Sequence, residues 1–278
     1  MNKKHKLNKI QEFNEDGFFS FSEIISDEKK IEIEKEIFTF ANMFRKKINL
    51  SNDKIISEVK NLKDFNDLCV QLEKFNNNSL FALVSLLSNL PSLKSISIQK
   101  NIIKIAAEIL ELEENELLSQ NASFLVNIPN NSRILYNWHN AKNSYPKRHT
   151  YLNFWLPMLT DKKLNNGTME VAIKSHLYDY PFLEFKSESK SGTGLTQNLV
   201  PNQYINKFEK KKLEVKYGDL VAMHPNLLHG SCCNESSQCS FVLVFKVWHI
   251  GKDWTLSPDI AQKYFSDDKF AFKEVDII

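Results

Sequence analysis

Gly218-Asp219-Leu220-Val221-Ala222-Met223-His224-Pro225, with His229-Gly230-Ser231 shortly after, is the stretch on which the fold reading turns. A Gly-Asp turn feeds a short apolar run, Pro225 closes it, and a histidine follows where such a strand leaves its sheet. An antiparallel jelly roll carries a ligand to its mouth in this way. Working outward, the stretches 122–128, 133–139, 150–156, 168–173, 213–215 and 241–248 share the texture of the 220–224 run. Several are β-branched or aromatic, bounded by Pro, Gly or Asn-rich turns. The implied class is mainly β with α: a double-stranded β-helix, or cupin-like jelly roll, with helices packed on one sheet.

Upstream of residue 120 the pattern is helical. Ser26-Asp27 caps a segment whose Ile31, Ile33, Ile37, Phe38, Phe40, Ala41 and Phe44 recur at helical period. Further helices are predicted over 62–75, 79–90 (ended by Pro91) and 92–110. The polar stretch 184–203 reads as a long loop, and loops of that length usually carry function or are disordered. One domain is expected over 1–278: a helical covering part (1–120), a jelly-roll core (121–250) and a tail (251–278).

A chain of 278 residues, 42% apolar and 25% charged, buries enough core to fold without disulfides or a structural metal. Its net charge of +2 gives no basic field, so nucleic acid is not expected as a partner. The basic start is followed by Asn8, Lys9, Gln11 and Glu12 instead of an apolar run, and no stretch approaches the ~20 apolar residues of a membrane span. Cys69, Cys232, Cys233 and Cys239 form no disulfide framework and no Cys-x2-Cys pair, which suits a reducing, cytoplasmic setting. Oligomeric state is not legible.

Five histidines, His139, His149, His176, His224 and His229, fall where a pocket could use them. Alternation over 133–139 places Arg133, Leu135, Asn137 and His139 on one face. His139 and His229 can meet in such a fold, and a facial metal site would then ask for a third ligand, usually a carboxylate. The bland reading, a hydrogen-bonded structural histidine at a strand end, is the commoner one for any single residue.

Taken in order, Phe13-Asn14-Glu15-Asp16-Gly17-Phe18, Tyr136-Asn137-Trp138-His139-Asn140-Ala141, Asn153-Phe154-Trp155-Leu156-Pro157, Asn166-Gly167-Thr168-Met169-Glu170-Val171, Ser175-His176 and the 218–236 stretch form a set. This ordered set resembles the phytanoyl-CoA dioxygenase family of iron(II)- and 2-oxoglutarate-dependent oxygenases. The resemblance implies Fe(II) on His139 and His229. It implies a carboxylate at position 141, where this chain has Ala141, and an arginine for 2-oxoglutarate at position 240, where it has Ser240. The family's hydroxyl matches at Ser231, and Trp155 is placed beside the cosubstrate. Lys246 shares strand parity with Ser240 but lies about 20 Å along the strand, so it is expected at the rim or surface. Asn137, Glu170 and Asp219 are poor replacement ligands. Tyr145, Tyr151, Asn153 and His176 are the expected substrate pocket, with Tyr136 and Trp138 as further aromatics nearby.

Several functions stay open at this level. One is an oxygenase hydroxylating a small organic metabolite through a His-only site, with Ser231 and Ser240, and a lysine from elsewhere in the pocket, holding 2-oxoglutarate. A halogenase with chloride at the place left by Ala141 is the second. A three-imidazole site that adds His176 or His224 is the third. The fourth is a non-catalytic binder of small molecules. Specificity is expected in the loops 140–149 and 184–203, where Lys186, Lys190, Ser187, Ser189 and Ser191 suit an anionic or sugar-like ligand or simply a solvated loop.

Overall fold

The computed structural model describes residues 3–48, 56–75, 77–120, 122–132, 135–142, 150–185 and 197–249. The helices are α1 (Lys3–Asp16), α2 (Asp27–Lys47), α3 (Leu62–Phe75), α4 (Asn77–Leu87), α5 (Pro91–Ser97), α6 (Lys100–Leu110) and the short α7 (Asn202–Ile205). Ser26 caps α2, its hydroxyl accepting the Lys29 N–H at 3.3 Å. Asp27 and Glu28 in the first turn and Arg45, Lys46 and Lys47 in the last complement the helix dipole. Ile33, Ile37, Ala41 and Phe44 form the buried stripe, whereas Ile31 is 68% exposed and stands outside it.

The helix expected over 92–110 is two helices. Pro91 takes the first turn of α5, where its missing N–H costs nothing, and the chain breaks at Ile98-Gln99, with Gln99 extended. Ile98 is 67% exposed there, so continuing the helix would gain little burial. Among the described residues no single helix is long and apolar enough to cross a membrane.

The strands are β1 (Phe18–Phe21), β2 (Leu117–Ser119), β3 (Ser123–Asn127), β4 (Tyr151–Met158), β5 (Met169–Ala172), β6 (Leu183–Phe185), β7 (Gln197–Leu199), β8 (Lys210–Lys212), β9 (Leu220–Met223), β10 (His229–Ser231) and β11 (Ser240–His249). One antiparallel sheet runs β1-β9-β4-β11-β2, with β3 also paired to β11, and a second runs β10-β5-β8. All eight residues of β4 are buried because both of its faces are covered. Leu152, Phe154, Leu156 and Met158 join Phe241, Leu243, Phe245 and Val247 of β11 in a core shared with α2–α6. From the other face Trp155, Val221 and Met223, with Val242 and Val244, meet Met169 and Val171 of the second sheet. The space between the sheets is therefore lined by the odd positions of β4 and the even positions of β11.

Three expectations are corrected. No strand forms over 135–139. His139 makes a lone bridge to His229, while the Ser231 N–H reaches Tyr136 O at 2.8 Å, so the pairing slips by one residue as in a β-bulge. The alternation assumed for Asn137 and His139 fails for that reason. Pairing near 213–215 moves to Lys210–Lys212, leaving Val215 in a lone bridge with Lys162. The loop over 184–203 has structured ends: β6 pairs with β7, and α7 follows Pro201, while 186–196 lie outside the described residues.

Candidate functional site

His229 heads β10, and its backbone N–H and C=O exchange hydrogen bonds with those of His139, both at 3.0 Å. The two rings are thereby held with centroids 4.3 Å apart and planes at 53°. Nδ1 of His139 lies 2.6 Å from the Asn137 carbonyl, and Nδ1 of His229 lies 2.9 Å from the Leu227 carbonyl. A carbonyl only accepts, so both Nδ1 atoms carry the proton and each Nε2 keeps a lone pair. Metal-binding imidazoles are prepared in the same way, by a hydrogen bond at the far nitrogen.

Electrostatics favours the neutral form of both. Desolvation is the main cause; it lowers His139 and, with the neighbouring imidazole, pushes His229 down to about 3. The backbone hydrogen bonds oppose the shift, and the Lys246 ammonium adds to it at both rings. Of the rim or surface position expected for Lys246, the structure gives the rim. Lys246 is part-buried, pairs across to Asn153, and acts on the histidine pair from the inner face of β11.

Ala141 is buried and brings no donor. Among the described residues no group of three His, Cys, Asp or Glu side chains comes together. Two neutral imidazole donors fit a borderline dication such as iron(II), and the described residues bring no third His, Cys, Asp or Glu to them. Ser231 stands two residues beyond His229, its hydroxyl accepting the Tyr136 N–H at 3.3 Å. Tyr151, Asn153 and Trp155 share the inner face of β4, and the buried Asn153 Nδ2 has no hydrogen-bond partner among the described residues. Glu170 faces away, opposite Gly230 and Lys212, and Asp219 accepts the Glu23 N–H at 2.9 Å as a turn residue.

At the start of β11 the sequence reading missed a residue. Lys162, only 2% exposed, donates from Nζ to Ser240 Oγ at 2.6 Å, and the Ser240 hydroxyl donates to Asn166 O at 2.6 Å. The turn behind them is fixed by Asn127, whose Nδ2 donates to Gly167 O at 3.2 Å and Cys232 O at 3.0 Å. Gly167 sits at φ +76°, and a Cβ there would collide with the Asn127 amide. Read locally, Asp161-Lys162-Lys163 is a charged turn; its burial depends on Val215 and Ser240, far along the chain.

Burial alone pushes the Lys162 ammonium from its ordinary 10.5 down to about 7. Between those values the unfolded chain holds the proton that the folded chain has released, so the unfolding free energy rises with pH across that window. Below pH 7 the full penalty for the buried charge remains. Lys162→Met is therefore expected to be more stable than the parent at pH 7, with the gap closing towards pH 10. Denaturant titrations of both at pH 7, 8.5 and 10 check this, and a gap independent of pH would contradict it.

His176 does not join His139 and His229. Its ring lies 5.1 Å from that of His224, in a 280 Å³ cleft also lined by Lys142, Asp179 and Asn226. His176 Nε2 meets Asn14 O at 3.1 Å, and His224 Nδ1 accepts the Asn226 N–H at 3.1 Å. The three-imidazole arrangement is thus absent among the described residues, because the folding chain sorts these four histidines into two separate pairs. Tyr145 and His149 lie outside the described residues.

The family model for phytanoyl-CoA dioxygenase (PhyH) matches residues 13–240. No curated protein sequence matches the chain. Among solved structures it is similar to the non-heme alpha-ketoglutarate-dependent carbocyclase SnoK from nogalamycin biosynthesis, at 15% identity and a TM-score of 0.57, over 90% of this chain and 84% of that one. It is similar also to EctD from S. alaskensis, solved with 2-oxoglutarate and 5-hydroxyectoine, at 14% identity and 0.58, over 90% and 76%. A third is the epimerase SnoN in complex with Fe3+, alpha ketoglutarate and nogalamycin RO, at 11% and 0.57, over 89% and 85%. At these identities the likeness is one of fold.

Proposed function

The chain belongs to the phytanoyl-CoA dioxygenase family, and we propose that it is an iron(II)- and 2-oxoglutarate-dependent oxygenase acting on a small organic metabolite through His139 and His229. We read the two facing sheets as a double-stranded β-helix with the site between them. The observation that carries the reading is the pair of Nδ1 protons tied to the Asn137 and Leu227 carbonyls, which leaves two neutral Nε2 donors side by side. Iron(II) with 2-oxoglutarate supplies the oxidation of an unactivated C–H bond. The chain's own work would be to hold those donors, to exclude water with Trp155, Val221 and Val244, and to keep Asn153 Nδ2, which has no partner among the described residues, as a hydrogen-bond donor on the inner face of β4.

Position 141 tests this assignment. Ala141→Asp adds the missing carboxylate beside His139 and is expected to tighten iron(II) at least about 10-fold, as one added charged ligand should. Equilibrium dialysis against iron(II) under argon reads it directly. Unchanged retention would place the metal elsewhere. The companion change Ser240→Arg, attractive from sequence alone, would set a second cation against Lys162 and is not expected to help.

A second reading has its own support. Lys246 brings positive charge to a metal site that lacks a carboxylate, which favours an external anion as ligand. Chloride would make the protein a halogenase. Iron(II) binding that tightens with chloride, but not with nitrate, would select that reading.

A further inference from the structure

We propose that the buried amide pair Asn140–Asn226 sets the geometry of the two histidines, so that both asparagines are positioning residues for the metal site. The inference rests on the oxygenase reading and adds to it what holds the donors in place. His139 and His229 meet in a lone bridge, with no strand over 135–139 to extend it and a one-residue slip at Tyr136 beyond it. Two backbone hydrogen bonds outside a ladder fix a separation but resist twisting of the two segments only weakly. The next link outward is made by side chains. Asn140, directly after His139, donates from Nδ2 to Asn226 Oδ1 at 2.8 Å, and the Lys142 N–H donates to Pro225 O at 2.9 Å.

Chemistry fixes which way these amides face. Asn226 Nδ2 meets acceptors: the carbonyls of His176, at 3.3 Å, and of Tyr178, and the Asp179 carboxylate at 3.3 Å. That edge must be the NH2, so Oδ1 faces Asn140, and Asn140 must offer its own NH2. Asn140 is fully buried and Asn226 is 5% exposed, so water does not readily replace a bond broken here. Asn226 leads straight into Leu227, whose carbonyl holds the His229 Nδ1 proton, and the Leu228 N–H donates to Ser175 Oγ at 2.8 Å. The turn that begins at Ser175-His176 thus anchors one histidine segment, and Asn140 passes that anchorage to the other.

Two measurements test this, one of them without metal. Nitrogen-15 NMR of histidine-labelled protein reads the tautomers of His139 and His229, each assigned by the loss of its signal in the alanine variant. The parent should show both rings protonated at Nδ1. Asn226→Leu and Asn140→Ala should each mix in the Nε2–H form. Each should also weaken iron(II) binding in equilibrium dialysis by about 10- to 100-fold, the worth of a bond that orients a metal ligand. The double variant should lose no more than the worse single one, because both break the same bond. Phe241→Ala, which loosens the core elsewhere, should move neither readout. If Asn226→Leu does not fold, Asn140→Ala decides, since it leaves Asn226 held by its other partners. Parent-like tautomers or parent-like iron(II) affinity in Asn140→Ala overturn the inference, and so do losses that add in the double variant. A parent that retains no iron(II) removes the oxygenase reading instead, and the tautomers still test the amide pair.

Discussion

His229→Ala is expected to abolish retention of iron(II), and His139→Ala to do the same. Each change would remove one of the two proposed donors, and no third side chain among the described residues compensates. Loss of a supporting hydrogen bond alone costs a metal site about 10- to 100-fold, so loss of a ligand from a two-donor site should cost at least about 100-fold. His224→Ala is the matched control. It removes a buried imidazole from the neighbouring pair and should leave iron(II) binding unchanged. Metal content after dialysis, with circular dichroism to confirm folding, separates the two pairs. Equal loss on His224→Ala would mean that the site spans both.

Phe241→Ala should cost about 3–5 kcal/mol, the range for a large aromatic truncated in a tight core. Phe241 is fully buried between Phe65 of α3 and Phe124 of β3, with ring centroids at 5.1 and 5.7 Å. It therefore ties the helical layer to the strand that carries Ser240 and Lys246. The cavity cannot close easily, because both neighbouring rings are anchored in different layers. Urea unfolding should show the midpoint falling at unchanged slope. A loss below about 1 kcal/mol would mean that helices and sheet do not share one core.

Much of this was legible. The 220–224 and 241–248 runs gave β9 and β11, and the Ser26 cap gave the start of α2, because local pattern and final environment agree there. The approach of His139 to His229 was also readable as a possibility, from two histidines at apparent strand ends. The bulge at Tyr136–His139 was hidden, since alternation cannot register a one-residue slip set by a distant partner strand. The break in 92–110 was hidden because Ile98 looks like core and is exposed. Lys162 was hidden most completely. A lysine between Asp161 and Lys163 carries no mark of burial, and only Ser240 and Val215 put it inside.

In the proposed function, His139 and His229 hold iron(II) so that 2-oxoglutarate completes its coordination. Anaerobic addition of iron(II) and then 2-oxoglutarate, followed by visible absorption, reads this complex without turnover. The expected result is a charge-transfer band that needs both additions and disappears in His139→Ala. Absence of any band at saturating iron(II) and 2-oxoglutarate, or a band that persists in His139→Ala, would contradict it.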